Sequence, residues 1–269
     1  MTLTVSVVTA TRDRRDLLAR CIDSVTAQEH EPKEHVVVDG ASTDGTVELL
    51  RGYAARHAHL RWLSEPDGGI SEALNKGFAR VTGDVIAVIG DDDAYEPGAF
   101  AAVAAAFADG APIVAGGCLV VNDAGDVLRT LRASFTSRDD LVEWWLSWSG
   151  AVTLPAPATF FRAEVLTEVG GFEPGDRFAM DYRHWLRMTE RFPVKTIDAV
   201  LARHRYDEGT ISYSRVREQG REMLRMSKEE WGSPLGLRRH RLAWSHFRHR
   251  GLPLLVRDAR RRVRGYVRR

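Results

Sequence analysis

At 269 residues, with 44% hydrophobic and 28% charged residues, the chain has the make-up of a soluble globular protein able to bury one sizeable core. It holds no apolar run long enough to cross a bilayer, and the short run Thr4 to Ala10, with no basic segment before it, is predicted to be a strand and not a signal segment. The net charge of +1 hides a split: residues 235–269 hold twelve arginines and one acid, leaving 26 bases against 36 acids elsewhere.

Taken in chain order, Val5 to Thr9 is a β-branched run, and Leu17, Leu18, Cys21, Ile22 and Val25 follow at the spacing of one helix face. His35 to Val38 predicts a buried strand that ends at Asp39-Gly40, with Thr43 or Asp44 as cap of the next helix. A third strand, Leu60 to Leu63, leads through Pro66-Asp67-Gly68-Gly69 into a helix with Ile70, Ala73, Leu74, Gly77 and Phe78 inward. Val85 to Ile89 is the fourth strand, stopped by Gly90 and three aspartates, and Pro97 opens a helix through Phe107. This alternation predicts an α/β fold, a mostly parallel central sheet flanked by helices.

The rhythm then changes. A hairpin is predicted around Asn122-Asp123-Ala124-Gly125, then a Trp-rich helix from Leu141 to Trp148 and a Pro-bearing loop. Next come a strand at Thr159 to Phe161, a helix to Val169, a helix from about Asp181 to Arg191, short strands near Val194 to Ile197 and Val200 to His204, and a helix from Arg215 to Trp231. Cys21 and Cys118 sit in apolar stretches without CxxC spacing, as buried, reduced thiols of a cytosolic protein would.

In open α/β sheets ligands bind outside the carboxyl ends of the strands. Asp39, Asp67 and the triplet Asp91-Asp92-Asp93 fall there. Three adjacent carboxylates repel one another unless a cation sits among them, and Mg²⁺ or Mn²⁺ sharing oxygens with a diphosphate meets that need. A solvated turn ahead of the next helix is the alternative. Asp39-Gly40 is equally a turn dipeptide and an acceptor for a uracil imide or a ribose hydroxyl. Lys76 either reaches a phosphate or is a surface lysine.

Four segments in order, Val5 to Thr9, Val38 to Gly45, Glu65 to Gly77 and Gly83 to Pro97, resemble the family 2 glycosyltransferases of GT-A fold, in particular the branch acting in bacterial polysaccharide and glycolipid assembly. The resemblance covers roughly residues 1–215 and divides them into a nucleotide-sugar half, 1–110, and an acceptor half, 111–215, with 216–269 as a basic helical extension. It implies an inverting transfer from a nucleotide-diphospho-sugar, UDP-sugars favoured, to a hydroxyl of a glycan or lipid-linked acceptor. Donor contacts are implied for Thr9, Asp39, Asp67, Gly69, Asn75, Lys76 and Asp91, and ligation of a divalent metal for Asp92 and Asp93. The family often has Asp-x-Asp-Asp or Asn-Ser-Asp-Asp where this chain has Gly90-Asp91-Asp92-Asp93, so the division of roles within the triplet stays open. Asp181, in a segment similar to the family's acceptor side, is implied as the base that takes the acceptor proton; a helix cap is its plainer role. The loop Asp207 to Ser212 resembles a weaker family segment near the diphosphate, and His204 is either a further metal contact or a structural histidine.

The arginines of the tail alternate with Leu, Trp, Phe, Val and Tyr, the pattern of an interfacial helix on anionic lipid, whereas a solvated charged end is the alternative. An acidic body argues against nucleic acid. The protein is therefore expected in the cytoplasm, peripheral on the inner face of the membrane. A nucleotidyltransferase would carry a Gly-rich loop after the first strand, where this chain has Thr9 to Arg14. An inactive, membrane-held protein of the same fold remains the rival of a different class.

Overall fold

The computed structural model describes residues 2–142 and 152–230. The tryptophans predicted at 144, 145 and 148 and the basic tail lie outside the described residues. The first half alternates as predicted apart from the short strand β5: β1 (Val5–Thr11), α1 (Arg15–Thr26), β2 (Lys33–Asp39), α2 (Thr46–Ala54), β3 (Leu60–Ser64), α3 (Ile70–Phe78), β4 (Val85–Val88), β5 (Ala94–Tyr95) and α4 (Ala99–Phe107). Then follow β6 (Ile113–Val121), β7 (Val127–Leu131), α5 (Arg138–Val142), β8 (Thr159–Arg162), α6 (Ala163–Val169), α7 (Met180–Arg191), β9 (Val194–Arg205), α8 (Ile211–Ser214) and α9 (Val216–Glu230).

The strands form one sheet in the order β3-β2-β1-β4-β8-β6-β9-β5, with β7 beside β6. The four strands of the βα repeat pair in parallel. Beyond them the sheet is mixed: β8 runs antiparallel to both β4 and β6, and β6 runs parallel to β9. The two short strands predicted between Val194 and His204 are one strand, whose register against β6 shifts around Gly117. β5 pairs antiparallel with β9, Ala94 opposite Arg203. That pairing draws the residues just before β5 toward the end of β9.

Helix α1 buries Leu18, Cys21, Ile22 and Val25, the stripe the periodicity predicted. Asp44 ties both neighbouring helix starts, accepting from the Arg15 N–H (2.9 Å) and from the Thr46 N–H (3.1 Å). Helix α3 packs on β1 so closely that a Cβ on Gly77 would lie 2.3 Å from Val8 Cγ1. Only glycine lets the helix approach that far.

The largest apolar cluster joins α3 and β4 to β8 and α7, and it includes Met223 and Met226 of α9. Ser227 of α9 also meets the Tyr182 hydroxyl of α7 at 2.9 Å. The core thus runs past residue 215, and α9, assigned from the sequence to an extension, packs inside the same body.

Candidate active site

A cavity of about 580 Å³ opens at the carboxyl ends of β1 and β4. Its wall includes Thr11, Asp67, Gly69, the aspartate triplet, Asp181 and His204. β1 and β4 are adjacent strands near the middle of the sheet, so their ends set the floor. Gly69 precedes α3 with φ of 132°, a conformation open to glycine, and it turns the chain into the helix beside the opening. Apolar side chains, among them Ile70, Leu74, Met180 and Trp185, line the inner part.

The triplet is held from three directions. Asp91, nearly buried, accepts from the Thr11 hydroxyl at 2.7 Å and from Arg14 at 3.3 Å. Asp92 accepts from Arg14 at 2.8 Å, with Arg205 Nη1 3.6 Å away. Asp93 accepts from the Arg205 N–H at 2.9 Å and faces His204 Nδ1 at 3.0 Å. Burial pushes the Asp91 carboxyl up to about 6, against the pull of Arg14. Burial and the neighbouring Asp93 charge raise Asp92 as well. For His204, burial opposes the charged imidazole, but Asp93, Asp92 and Asp181 outweigh it and hold its pKa above the ordinary value.

Asp181 lies in the first turn of α7, where its Oδ1 accepts from the Tyr182 N–H at 2.8 Å. Burial pushes its carboxyl up to about 6, against that hydrogen bond. The helix cap itself is Ala179, so Asp181 is not the cap residue that the sequence allowed.

Four residues predicted as donor contacts lie outside the lining of this cavity. Thr9 is fully buried, its hydroxyl 3.0 Å from His35 Nε2 and 3.8 Å from Cys21 Sγ. β1 runs two residues farther than its β-branched run suggested, so helix α1 covers Thr9 and Thr11 takes the strand end at the cavity wall. Asp39 is buried, accepting from the Ser42 N–H at 3.0 Å, the Ser42 hydroxyl and the Ser64 hydroxyl at 2.6 Å. These are the contacts of a turn residue. Asn75 clasps the Phe172 backbone, donating to its carbonyl and accepting from its N–H, both at 2.8 Å. Lys76 closes the turn ahead of α3, donating to the Pro66 carbonyl at 2.9 Å beside Glu65 and Glu72. Asp67 stays in the wall, and a Cβ on Gly40 would lie 2.7 Å from its Oδ2.

Thr11, Arg14, Arg177 and Gln219 belong to the wall without having been singled out. For Thr11 and Arg14 the signal was present: polar residues directly after a central strand sit at the ligand edge of such a sheet. Arg14 also donates to the Gly209 carbonyl at 3.0 Å, joining the triplet to the loop 207–212.

Residues 6–181 match the sequence model of glycosyl transferase family 2. The chain belongs to this family. An uncharacterized glycosyltransferase of Mycobacterium tuberculosis is 30% identical over 207 residues, covering 74% of this chain and 73% of that one. Among solved structures, S. aureus TarS in complex with UDP-GlcNAc superposes with a TM-score of 0.67 at 17% identity, over 92% of this glycosyltransferase and 73% of TarS. A mannosyltransferase from Pyrobaculum calidifontis in complex with GDP-Man and Mn²⁺ gives 0.65 at 20% identity, over 93% and 71%. These structures share the GT-A fold with this glycosyltransferase.

Among the described residues no three His, Cys, Asp or Glu side chains converge as a metal cluster, because Asp92 turns to Arg14 while Asp93 turns to His204. The donor set nonetheless fits a hard divalent ion. It offers adjacent carboxylates at a cavity wall, two of them raised chiefly by burial. The cation beside those two in this structure is the Arg14 guanidinium.

Proposed function

We propose that this glycosyltransferase moves a sugar, with inversion, from a nucleotide-diphospho-sugar to a hydroxyl of a glycan or lipid-linked acceptor in bacterial polysaccharide or glycolipid assembly. UDP-sugars are the favoured donors. The observation that carries this reading is that one cavity wall holds both the acidic triplet and a separate carboxylate, Asp181, whose burial raises it to about 6. A carboxyl near that value is ionised at neutral pH yet basic enough to accept a proton.

In this reading Asp181 takes the proton of the acceptor hydroxyl as its oxygen bonds to the anomeric carbon and the bond from that carbon to the diphosphate oxygen breaks. The nucleoside diphosphate leaves with the bonding pair. Asp67 and Gly69 border the nucleotide, and Thr11 fixes Asp91 on the donor side. Asp92 and Asp93 would hold a divalent ion, Mn²⁺ or Mg²⁺, which supplies Lewis-acid charge to the diphosphate. Arg14 and Arg205 bring positive charge to the same wall. The arginine-rich tail, through its alternation with apolar residues, supports attachment to the inner membrane surface, where a lipid-linked acceptor resides.

The test is hydrolysis and transfer across a panel of UDP-, GDP- and dTDP-sugars with Mn²⁺, for the wild type and Asp92→Ala. Turnover that Asp92→Ala abolishes is expected. Absence of any nucleotide-induced thermal shift with Mn²⁺ would overturn the donor assignment, and tight UDP binding without turnover would favour an inactive binding protein.

A further inference from the structure

Helix α9 lies beyond the residues that match the family, yet its middle faces the end of α7 that carries Asp181. Three successive backbone N–H groups lead into that helix, and all three point at one carboxylate. Glu222 Oε1 accepts from the Arg177 N–H at 3.2 Å, and Oε2 accepts from Phe178 at 2.8 Å and from Ala179, the cap residue, at 3.0 Å. No side chain of the segment itself caps α7. A carboxylate brought from another helix therefore holds the N–H groups of the three residues that end at the cap position, and it complements the positive helix end.

The clamp is itself held in place. Arg225, three residues on, donates to the buried Asp176 at 2.7 Å, and Asp176 also pairs with Arg183 of α7. Met223 and Met226 are packed in the core. Gln219, one turn before Glu222, shares the cavity wall with Arg177 and Phe178. Asp181 follows two residues after Ala179, and the hydrogen bond recorded for its carboxylate comes from the next N–H of its own backbone. Where that carboxylate stands is thus set by the path of residues 177–182.

We propose that Glu222 is a positioning residue: through its three backbone hydrogen bonds it fixes the start of α7 and so the placement of Asp181 toward the reacting hydroxyl. The proposal rests on Asp181 as the base. It adds α9 to the catalytic body, and it makes the segment beyond residue 215 necessary for chemistry and not only for attachment.

The full-length protein and its Glu222→Ala, Glu222→Asp and Glu222→Gln variants are compared in two measurements. The first is amide exchange at Tyr182, an N–H in the first helical turn whose protection comes from the Asp181 carboxylate and not from the helix ladder. The second is hydrolysis of UDP-glucose and UDP-GlcNAc with Mn²⁺, read as kcat and KM beside UDP affinity. Glu222→Ala is expected to speed Tyr182 exchange about tenfold or more. Because an ångström of misplacement costs on the order of a hundredfold, kcat is expected to fall roughly 10- to 100-fold, with KM and UDP affinity within about twofold of wild type. Glu222→Gln, which keeps one accepting oxygen, restores most of both; Glu222→Asp, one methylene short, falls between and reports on the clamp if the alanine variant does not fold. Unchanged Tyr182 protection in Glu222→Ala, or kcat and KM moving together, overturns the proposal. If Asp181→Asn hydrolyses donor like the wild type, the base assignment fails, whereas Tyr182 exchange still decides the clamp.

Discussion

The exchange of Asp181 for Asn separates stability from chemistry. The carboxyl stands at about 6 in the folded protein against an ordinary 3.8, chiefly because burial penalises its charged form. A difference of about two units, at about 1.36 kcal/mol each, makes the ionised carboxylate a liability of up to about 3 kcal/mol at neutral pH. Asparagine has nearly the same shape, and its oxygen keeps the bond from the Tyr182 N–H. Asp181→Asn should therefore be more stable than the wild type by as much as ~3 kcal/mol, a Tm gain of roughly 5–10 °C for a body of this size. The folded state holds this proton more tightly than the unfolded chain does. Ionisation therefore weighs against folding above about pH 6, and the penalty fades as the pH falls from about 6 toward about 4. The variant's lead should be widest near pH 7 and close by about pH 4.

Turnover should move the opposite way. The base must be ionised, so wild-type kcat/KM should rise with pH through about 6, and Asp181→Asn should lose roughly 100-fold or more, the upper part of what a positioned base contributes. Calorimetry across the pH range and donor hydrolysis check the two arms. A variant that melts lower than the wild type at neutral pH would refute the account of the buried charge. One that melts higher and turns over normally would refute the assignment of the base.

Three other substitutions follow from the same geometry. Arg14→Ala removes the cation between Asp91 and Asp92, which should cost about 3 kcal/mol or more in metal-free buffer, as for a broken buried pair; Mn²⁺ should recover much of it, and calorimetry showing an equal loss with and without Mn²⁺ would count against a metal at the triplet. Asp39→Ala should cost about 1–3 kcal/mol of stability through its lost Ser42 and Ser64 bonds while UDP affinity holds, whereas Asp67→Ala should weaken UDP by about tenfold, near 1.4 kcal/mol, with little change in Tm. Titration calorimetry with UDP and thermal melts of both variants settle which aspartate serves the nucleotide.

The half of the fold built from βα repeats was legible because each of its strands is an apolar run closed by a polar turn, and Leu18, Cys21, Ile22 and Val25 mark their helix face without help from the rest of the chain. The antiparallel crossing at β8 was not legible, since Thr159 to Arg162 pairs with β4 and β6 across long stretches of sequence and its own residues carry no mark of direction. The site divides along the same line. Asp91, Asp92, Asp93 and Asp67 sit where local strand and turn signals put them. Thr9 and Thr11 face the same side of β1 and are equally polar; only the reach of α1 over the strand separates the hydroxyl that meets Cys21 from the one that meets Asp91. Asp39 and Asp181 are likewise the same residue type at element ends, yet Ser42 and Ser64 bring three hydrogen bonds to one, and the other accepts from its neighbour's N–H at the cavity wall. What decides between such pairs is the count of partners that folding brings to each oxygen. The backbone just ahead of Asp181 is held by Glu222, forty-one residues away from that carboxylate on a helix with no sign of a site in its own sequence. If Asp181 is the base, as proposed, so distant a clamp ties its competence to the docking of α9, and loosening that helix should silence chemistry before it unfolds the sheet.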